Sequence, residues 1–377
     1  MIPFNKPYLV GKETQYIQDA VCTGKISGNG KYTKLCQDFF ENKYKFKKCL
    51  LTTSCTDALE MCAILANIEK DDEVIIPSFT FVSTALAFIR QGAKVIFADS
   101  SSENPNIDVS KIEALITSKT KAIVPVHYAG IACNMEAIMN LAHKYNLLVI
   151  EDAAQAIDSY FTFKDGTKKA LGSIGHMAAF SFHETKNIIS GEGGMLAIND
   201  EKYSNRAEII WEKGTNRAEF FRGEINKYGW VDTGSSFLPS EIISAFLWAQ
   251  LEALDAIQSK RKTLWNLYFN GLKGHENNIF KIQEIPNFAT NNAHMFYIVF
   301  DNLEQRTACI NRLKENNILA VFHYLSLHKS EYYKDKYIGE ELYWSDYYTD
   351  RLLRLPMYFE LSEYDINKII SIILDFD

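Results

Sequence analysis

Residues 49–150 alternate between two kinds of segment, and that alternation leaves very few folds open to the chain. Short runs dominated by Val, Ile, Leu and Phe stand at residues 49–52, 73–76, 94–98, 121–126 and 147–150. They read as strands. Between them lie segments with helical character: one opening at Ser54 with Leu59, Ile64 and Leu65 at helical spacing, then 80–90, 109–115 and 135–145. Strands joined through helices lie side by side in the same direction, so this half predicts an α/β fold around a largely parallel sheet. Two further apolar runs, 177–182 and "MLAIN" at 195–199, extend it, and 160–170 reads as an exposed hairpin or loop. Residues 12–22 and 32–43 read as helices ahead of the first strand, and 201–213 as one after the last.

Residues 240–272 predict one or two long helices, with Ile243, Phe246, Leu247, Leu251 and Leu254 on one face. Beyond them the βαβ pattern thins. Strands are expected at 294–300 and 319–322 and helices at 305–316 and 363–374, an α+β module. The division predicted is a large α/β domain over 1–250 and a small C-terminal α+β domain over 251–377.

A length of 377 residues with 47% hydrophobic composition is enough for such a core. A net charge of −7 speaks against nucleic-acid binding, which needs a basic surface. The seven cysteines form no CxxC pair and are odd in number, so reduced thiols of a cytoplasmic protein are expected, not a disulfide frame. Pro3, Asn5 and Pro7 interrupt any apolar run at the start, and no run approaches the roughly 20 residues of a membrane helix. The histidines show no HxH or HxxxH spacing, so no metal site is expected. "GKISGNGKY" at 24–32 is no P-loop: Lys25 stands where a glycine is needed and Tyr32 where Ser or Thr is needed.

Chemistry concentrates in three stretches. The first is "FSFHETKNIISGEGG" at 180–194, where Lys186 sits between a short apolar strand and a glycine cluster. A lysine amine taken out of water loses proton affinity and can form a Schiff base with an aldehyde cofactor. An ordinary loop lysine is the plainer reading. The second is Asp152, just past the run 147–150. In open α/β sheets, working groups collect at the carboxyl ends of strands, and a carboxylate there suits the ring nitrogen of pyridoxal phosphate. A helix cap is its plainer reading. The third is Ser54-Cys55-Thr56 at a helix start, where free amides and the helix dipole favour a phosphate, or where the hydroxyls simply cap.

Taken together, "EDAAQ", "SFHETKN" and "GEGG" resemble the DegT/DnrJ/EryC1/StrS sugar aminotransferases, which share the fold of aspartate aminotransferase, over essentially the whole chain. "IPFNKP" at Ile2, "LLTTSCTDALE" at Leu50, "PSFTFVSTA" at Pro77, "VPVHYAG" at Val124, "EKGTNR" at Glu212, "GSSFL" at Gly234, "AHMFYI" at Ala293 and "AVFHYLSLH" at Ala320 are similar to one subgroup, the dTDP-4-amino-4,6-dideoxygalactose transaminases. The resemblance implies a fold-type I enzyme with pyridoxal 5'-phosphate on Lys186 and Asp152 against the ring nitrogen. It implies Gln155 at the phenolic oxygen, Phe81 against the ring face, and Ser181 with the amides near Cys55 and Thr56 around the phosphate. Lys186 and Asp152 are the implied catalytic pair.

The implied reaction moves an amino group from L-glutamate to C4 of dTDP-4-keto-6-deoxyglucose. The implied assembly is a homodimer whose partner lends residues from the region of 215–230. Most relatives carry Gly-x-Asn-Tyr-Arg where this chain has Gly234-Ser235-Ser236-Phe237-Leu238, so the roles of that asparagine and arginine do not transfer. Three alternatives stay open: amination at C3 of a 3-keto sugar nucleotide, a silent cofactor-binding regulator, and a dehydratase. Lys186 speaks against the dehydratase, whose kin carry histidine in its place.

Overall fold

The computed structural model of the protein describes residues 1–275 and 279–375. Strands β1 (Lys48–Thr52), β2 (Glu73–Pro77), β3 (Lys94–Ala98), β4 (Thr120–Ile123) and β5 (Leu148–Asp152) come first in the chain. A small hairpin follows, β6 (Tyr160–Thr162) with β7 (Lys168–Ala170), then β8 (Met177–Ser181) and β9 (Gly194–Ile198). Seven of these form one twisted sheet in the order β1-β9-β8-β5-β4-β2-β3. The run from β8 to β3 is parallel, whereas β9 is antiparallel to both β8 and β1.

The apolar runs are continuous because helices cover the sheet on both faces. Successive residues serve opposite cores. Leu51, Ile75, Ile123, Val149, Phe180 and Met195 face one, while Leu50, Val74, Ala122, Ile150, Met177 and Leu196 face the other. Each of these side chains larger than alanine contributes about 1.5–3 kcal/mol by leaving water. Ile75→Ala, at 0% exposure, would leave a cavity costing about 2–5 kcal/mol.

The helices on this sheet are α1 (Glu13–Cys22), α2 (Lys31–Tyr44), α3 (Cys55–Leu65), α4 (Val82–Ile89), α5 (Val109–Leu115) and α6 (Met135–Tyr145), with α7 (Ser204–Trp211), α8 (Arg217–Phe221) and α9 (Glu241–Glu252) after β9. Their ends follow local chemistry. Asn134 caps α6 by accepting from the Ala137 amide, and Asn146 ends it in the left-handed region. Helix α4 is shorter than 80–90 because Phe81 is in extended backbone and serves as its cap residue. The helix expected over 201–213 begins with one 3-10 turn, Glu201–Tyr203, because the Asp200 side chain caps that turn.

Helix α10 (Leu254–Leu272) bridges two cores. Leu254 and Ile257 belong to the large one, and Leu264, Trp265, Tyr268 and Leu272 to a smaller one. The smaller core packs under a four-stranded antiparallel sheet of β10 (Phe280–Ile282), β11 (Phe296–Phe300), β12 (Val321–Phe322) and β13 (Leu352–Leu355), in the order β10-β11-β13-β12. Helices α11 (Leu303–Glu315), α12 (Tyr343–Arg351) and α13 (Glu363–Leu374) complete it. β10, α12 and β13 have no counterpart in the sequence reading. Among the described residues no helix is long and apolar enough to cross a membrane.

Candidate active site

A cavity of about 640 Å³ opens where the carboxyl ends of β5 and β8 meet the small sheet. All seven residues singled out from sequence line it: Cys55, Thr56, Phe81, Asp152, Gln155, Ser181 and Lys186. They come from four separate segments, so only the fold brings them together.

Asp152 is the last residue of β5 and is 5% exposed. Thr84 Oγ1 donates to its Oδ2 at 2.7 Å, and the Ala154 amide donates to its Oδ1 at 3.1 Å. Burial pushes this carboxyl above the ordinary range, while the Thr84 hydrogen bond, the Ala154 amide and the Lys186 charge pull it back.

Lys186 sits at the tip of an excursion between β8 and β9. The Phe182 amide donates to Gly193 O, and the Glu184 amide to Gly191 O at 2.8 Å, which pinches the loop. Gly191, at φ +82°, makes the turn that side chains resist. Removal from water lowers the Lys186 amine to a pKa of about 8. Cys55 opposes this, Arg354 adds to it, and Asp152 opposes it.

The start of α3 forms a cup. Ser54 caps the helix by accepting from the Asp57 amide at 3.1 Å, leaving the first amides of α3, at Cys55 and Thr56, without a helical acceptor. Gly194 opens β9 directly against this helix end. A Cβ on it would lie 2.4 Å from the Cys55 nitrogen. Ser181, at the end of β8, lines the same cavity.

Gln155 is held at both ends of its amide. Its Oε1 accepts from the Ala129 amide at 2.7 Å, and its Nε2 donates to the Tyr324 hydroxyl at 3.1 Å. The two phenylalanines around α4 divide their labour: Phe79 is core at 1% exposure, whereas Phe81, at 55%, faces the cavity. His183 also lines it, with Nδ1 within 2.9 Å of Thr185 Oγ1.

Sequence reasoning missed the wall given by the small sheet: His294, His323, Tyr324 and Arg354. His294 shares its Nδ1 with Asn187 Oδ1 at 2.8 Å, tying that wall to the residue after Lys186. Burial, with the Lys186 and Arg354 charges, drives His294 well below its ordinary pKa. One signal was available: Arg354 is a lone charge in the apolar run "LLRLP". By contrast, the segment 215–230 stays outside the cavity of its own chain. It folds back on itself through a Thr215–Trp230 bridge, and Trp230 is 83% exposed. Of 234–238, Phe237 is a core residue.

Sheet, cavity and charged groups define the class: a fold-type I, pyridoxal-phosphate-dependent aminotransferase. The chain belongs to the DegT/DnrJ/EryC1/StrS aminotransferase family, whose model matches residues 7–374. It is 30% identical to the GDP-perosamine synthase of Escherichia coli O157:H7, over 100% of this chain and 98% of that protein. It is also 30% identical to the spore coat polysaccharide biosynthesis protein SpsC of Bacillus subtilis (strain 168), over 99% of this chain and 96% of that one. Among solved structures, PseC of Helicobacter pylori, an aminotransferase involved in the biosynthesis of pseudoaminic acid, superposes with a TM-score of 0.89. There the identity is 23%, covering 99% of this chain and 98% of that chain.

Proposed function

We propose that the chain transfers an amino group from L-glutamate to C4 of dTDP-4-keto-6-deoxyglucose, giving dTDP-4-amino-4,6-dideoxygalactose and 2-oxoglutarate. One observation carries the transfer chemistry. A lysine with a depressed pKa and a buried, hydrogen-bonded aspartate share one cavity with an amide-lined cup at a helix start.

These residues fit pyridoxal 5'-phosphate. The cup that Gly194 keeps clear would take the phosphate on the Cys55 and Thr56 amides with Ser181. Asp152 would face the ring nitrogen, Phe81 the ring, and Gln155 the phenolic oxygen. The bound cofactor supplies an electron sink for negative charge on the substrate carbon. Thr84 and the Ala154 amide hold the Asp152 carboxylate in one orientation and favour its charged form.

Lys186 is the base, its Nζ taking a proton from the donor Cα and returning one in the second half-reaction. With a pKa of about 8, roughly a tenth of it is free amine at pH 7, roughly 300 times the share of an ordinary lysine. The walls of Leu59, Phe81 and Val126 limit water around that amine.

The C4 assignment rests on the subgroup stretches, above all "EKGTNR", "GSSFL" and "AVFHYLSLH". A GDP-linked 4-keto sugar is a second reading, supported by the relation to the GDP-perosamine synthase. We further place the enzyme in the cytoplasm as a homodimer, supported by its free thiols and by Phe221, Tyr228 and Trp230 standing exposed on 215–230. The test offers dTDP-4-keto, GDP-4-keto and dTDP-3-keto sugars separately with glutamate and locates the new C–N bond by NMR. Amination of the dTDP-4-keto sugar alone is expected, and preference for either other substrate overturns the assignment.

A further inference from the structure

His294 stands just ahead of β11 and lines the cavity that holds Lys186, yet the transfer chemistry leaves it without a task. Its bonding partners fix which ring nitrogen carries the proton. Asn187, the residue after Lys186, is buried, and its Nδ2 donates to Gln258 Oε1 at 2.8 Å and to Asn292 O at 2.9 Å. Turning that amide over would set its oxygen against the Asn292 carbonyl, two acceptors with no proton between them. Asn187 Oδ1 therefore faces His294 Nδ1, 2.8 Å away, and an amide oxygen only accepts. Nδ1 carries the hydrogen.

The ring is neutral, because burial and the charges of Lys186, Arg354 and Arg261 hold it well below its ordinary pKa. A neutral imidazole with its hydrogen on Nδ1 has a bare Nε2. Among the described residues nothing donates to that nitrogen, and with Nδ1 spent on Asn187 it is the one left to the cavity. The backbone is held as well. Arg261, buried in α10, donates Nε to Ala293 O at 3.0 Å and Nη2 to His294 O at 2.6 Å, and the His294 amide donates to Asn292 Oδ1 at 3.0 Å.

We infer that His294 is a specificity-determining residue whose Nε2 accepts a hydrogen bond from the C3 hydroxyl of the keto sugar, and that Asn187 is the positioning residue that sets its tautomer. The choice of hydroxyl rests on the C4 reading above. A bare nitrogen repels a carboxylate oxygen, which needs donors. An uncharged acceptor suits an uncharged donor, and a hexose brings hydroxyls. The carboxylates that line the cavity are Asp152, which serves the ring nitrogen in the function proposed, and Glu192, which is mostly exposed. Asn187 follows Lys186 directly, so the acceptor is fixed relative to the amine that works at the reacting carbon. Beside C4 only C3 bears a hydroxyl, since C5 carries the ring oxygen and the methyl group.

The test loads the enzyme with pyridoxamine phosphate and follows the keto-sugar half-reaction with dTDP-4-keto-6-deoxyglucose and with its 3-deoxy analogue. Wild type is expected to prefer the parent sugar by about tenfold, the effect of leaving one buried acceptor unmet. His294→Phe, which keeps a buried ring and removes the acceptor, is expected to react with the two sugars alike. His294→Gln, which keeps an acceptor, is expected to recover part of the preference. Asn187→Ala, which frees the tautomer, is expected to lose most of it. A packing defect would slow both sugars together and leave their ratio standing. Nitrogen NMR of the same loaded enzyme, with histidine labelled and His294→Phe identifying the signal, is expected to show Nδ1 protonated and Nε2 bare at neutral pH.

A wild type that reacts equally with both sugars overturns the proposal, as does a ratio unchanged in His294→Phe. A proton found on Nε2 overturns it as well. A wild type that aminates neither sugar sinks the function proposed above, and this hydroxyl contact with it.

Discussion

Thr84 reaches from the first turns of α4 to place its hydroxyl 2.7 Å from Asp152 Oδ2, joining two residues 68 apart in sequence. Thr84 is 0% exposed, and its hydroxyl also lies 2.9 Å from that of Thr80. A hydroxyl from α4, the helix between β2 and β3, thus favours the charged form of a carboxyl that burial pushes upward, with no counter-ion at contact distance among the described residues.

Asp152→Asn is expected to lower kcat by about 100-fold or more while changing cofactor affinity far less, because it removes charge and keeps shape. Thr84→Val is expected to fall between it and wild type. Steady-state kinetics beside cofactor titration decides. Loss of cofactor with kcat preserved would make Asp152 a structural cap.

Lys186→Ala is expected to keep the cofactor through phosphate and ring contacts and to lose turnover along with the visible band of lysine-bound cofactor. The wild-type apoenzyme gives a sharper test. Only the neutral amine is nucleophilic, and its pKa is about 8. Capture of pyridoxal phosphate should therefore speed up about tenfold per pH unit below 8 and level off above it. Stopped-flow absorbance reads the inflection, and one near the ordinary lysine value of about 10.5 would contradict the burial of the amine.

Gly194→Ala is expected to abolish tight cofactor binding, since its Cβ would sit 2.4 Å from the Cys55 nitrogen, against backbone that cannot give way. Gly191→Ala has open space around it and only an unfavourable φ of +82°, costing about 1 kcal/mol of stability. Cofactor titration and thermal melting of the pair separate a lost cup from simple strain.

Trp230→Ala combined with Phe221→Ser is expected to weaken self-association and to lower activity at low protein concentration, recoverable at high concentration. Sedimentation velocity beside activity checks it. A wild-type enzyme that is fully active as a monomer would rule out the shared-site dimer.

The sequence by itself determined the large sheet and the identity of its working groups. Apolar runs at 73–76 and 147–150 read as strands covered on both faces, and Asp152 and Lys186, each of which alone reads as a helix cap or a loop lysine, stood out through the stretches around them, "EDAAQ", "SFHETKN" and "GEGG". Those signals are local in the chain, so periodicity exposes them. Tertiary structure alone decided what faces the lysine. β9 enters the sheet antiparallel beside β8, which no spacing announces, and that is what brings Gly194 against α3. The wall of His294, Tyr324 and Arg354 arrives from strands and loops more than 100 residues beyond Lys186. β13 hid because a charge interrupts its short apolar run, and α12 hid because "YWSDYYTDR" draws its apolar face from aromatics, which favour strands as much as helices. Arg354 reads as a surface charge until the fold half-buries it over Phe4, 350 residues away in the chain. Its meaning comes from desolvation, and desolvation is a property of packing, not of order along the sequence.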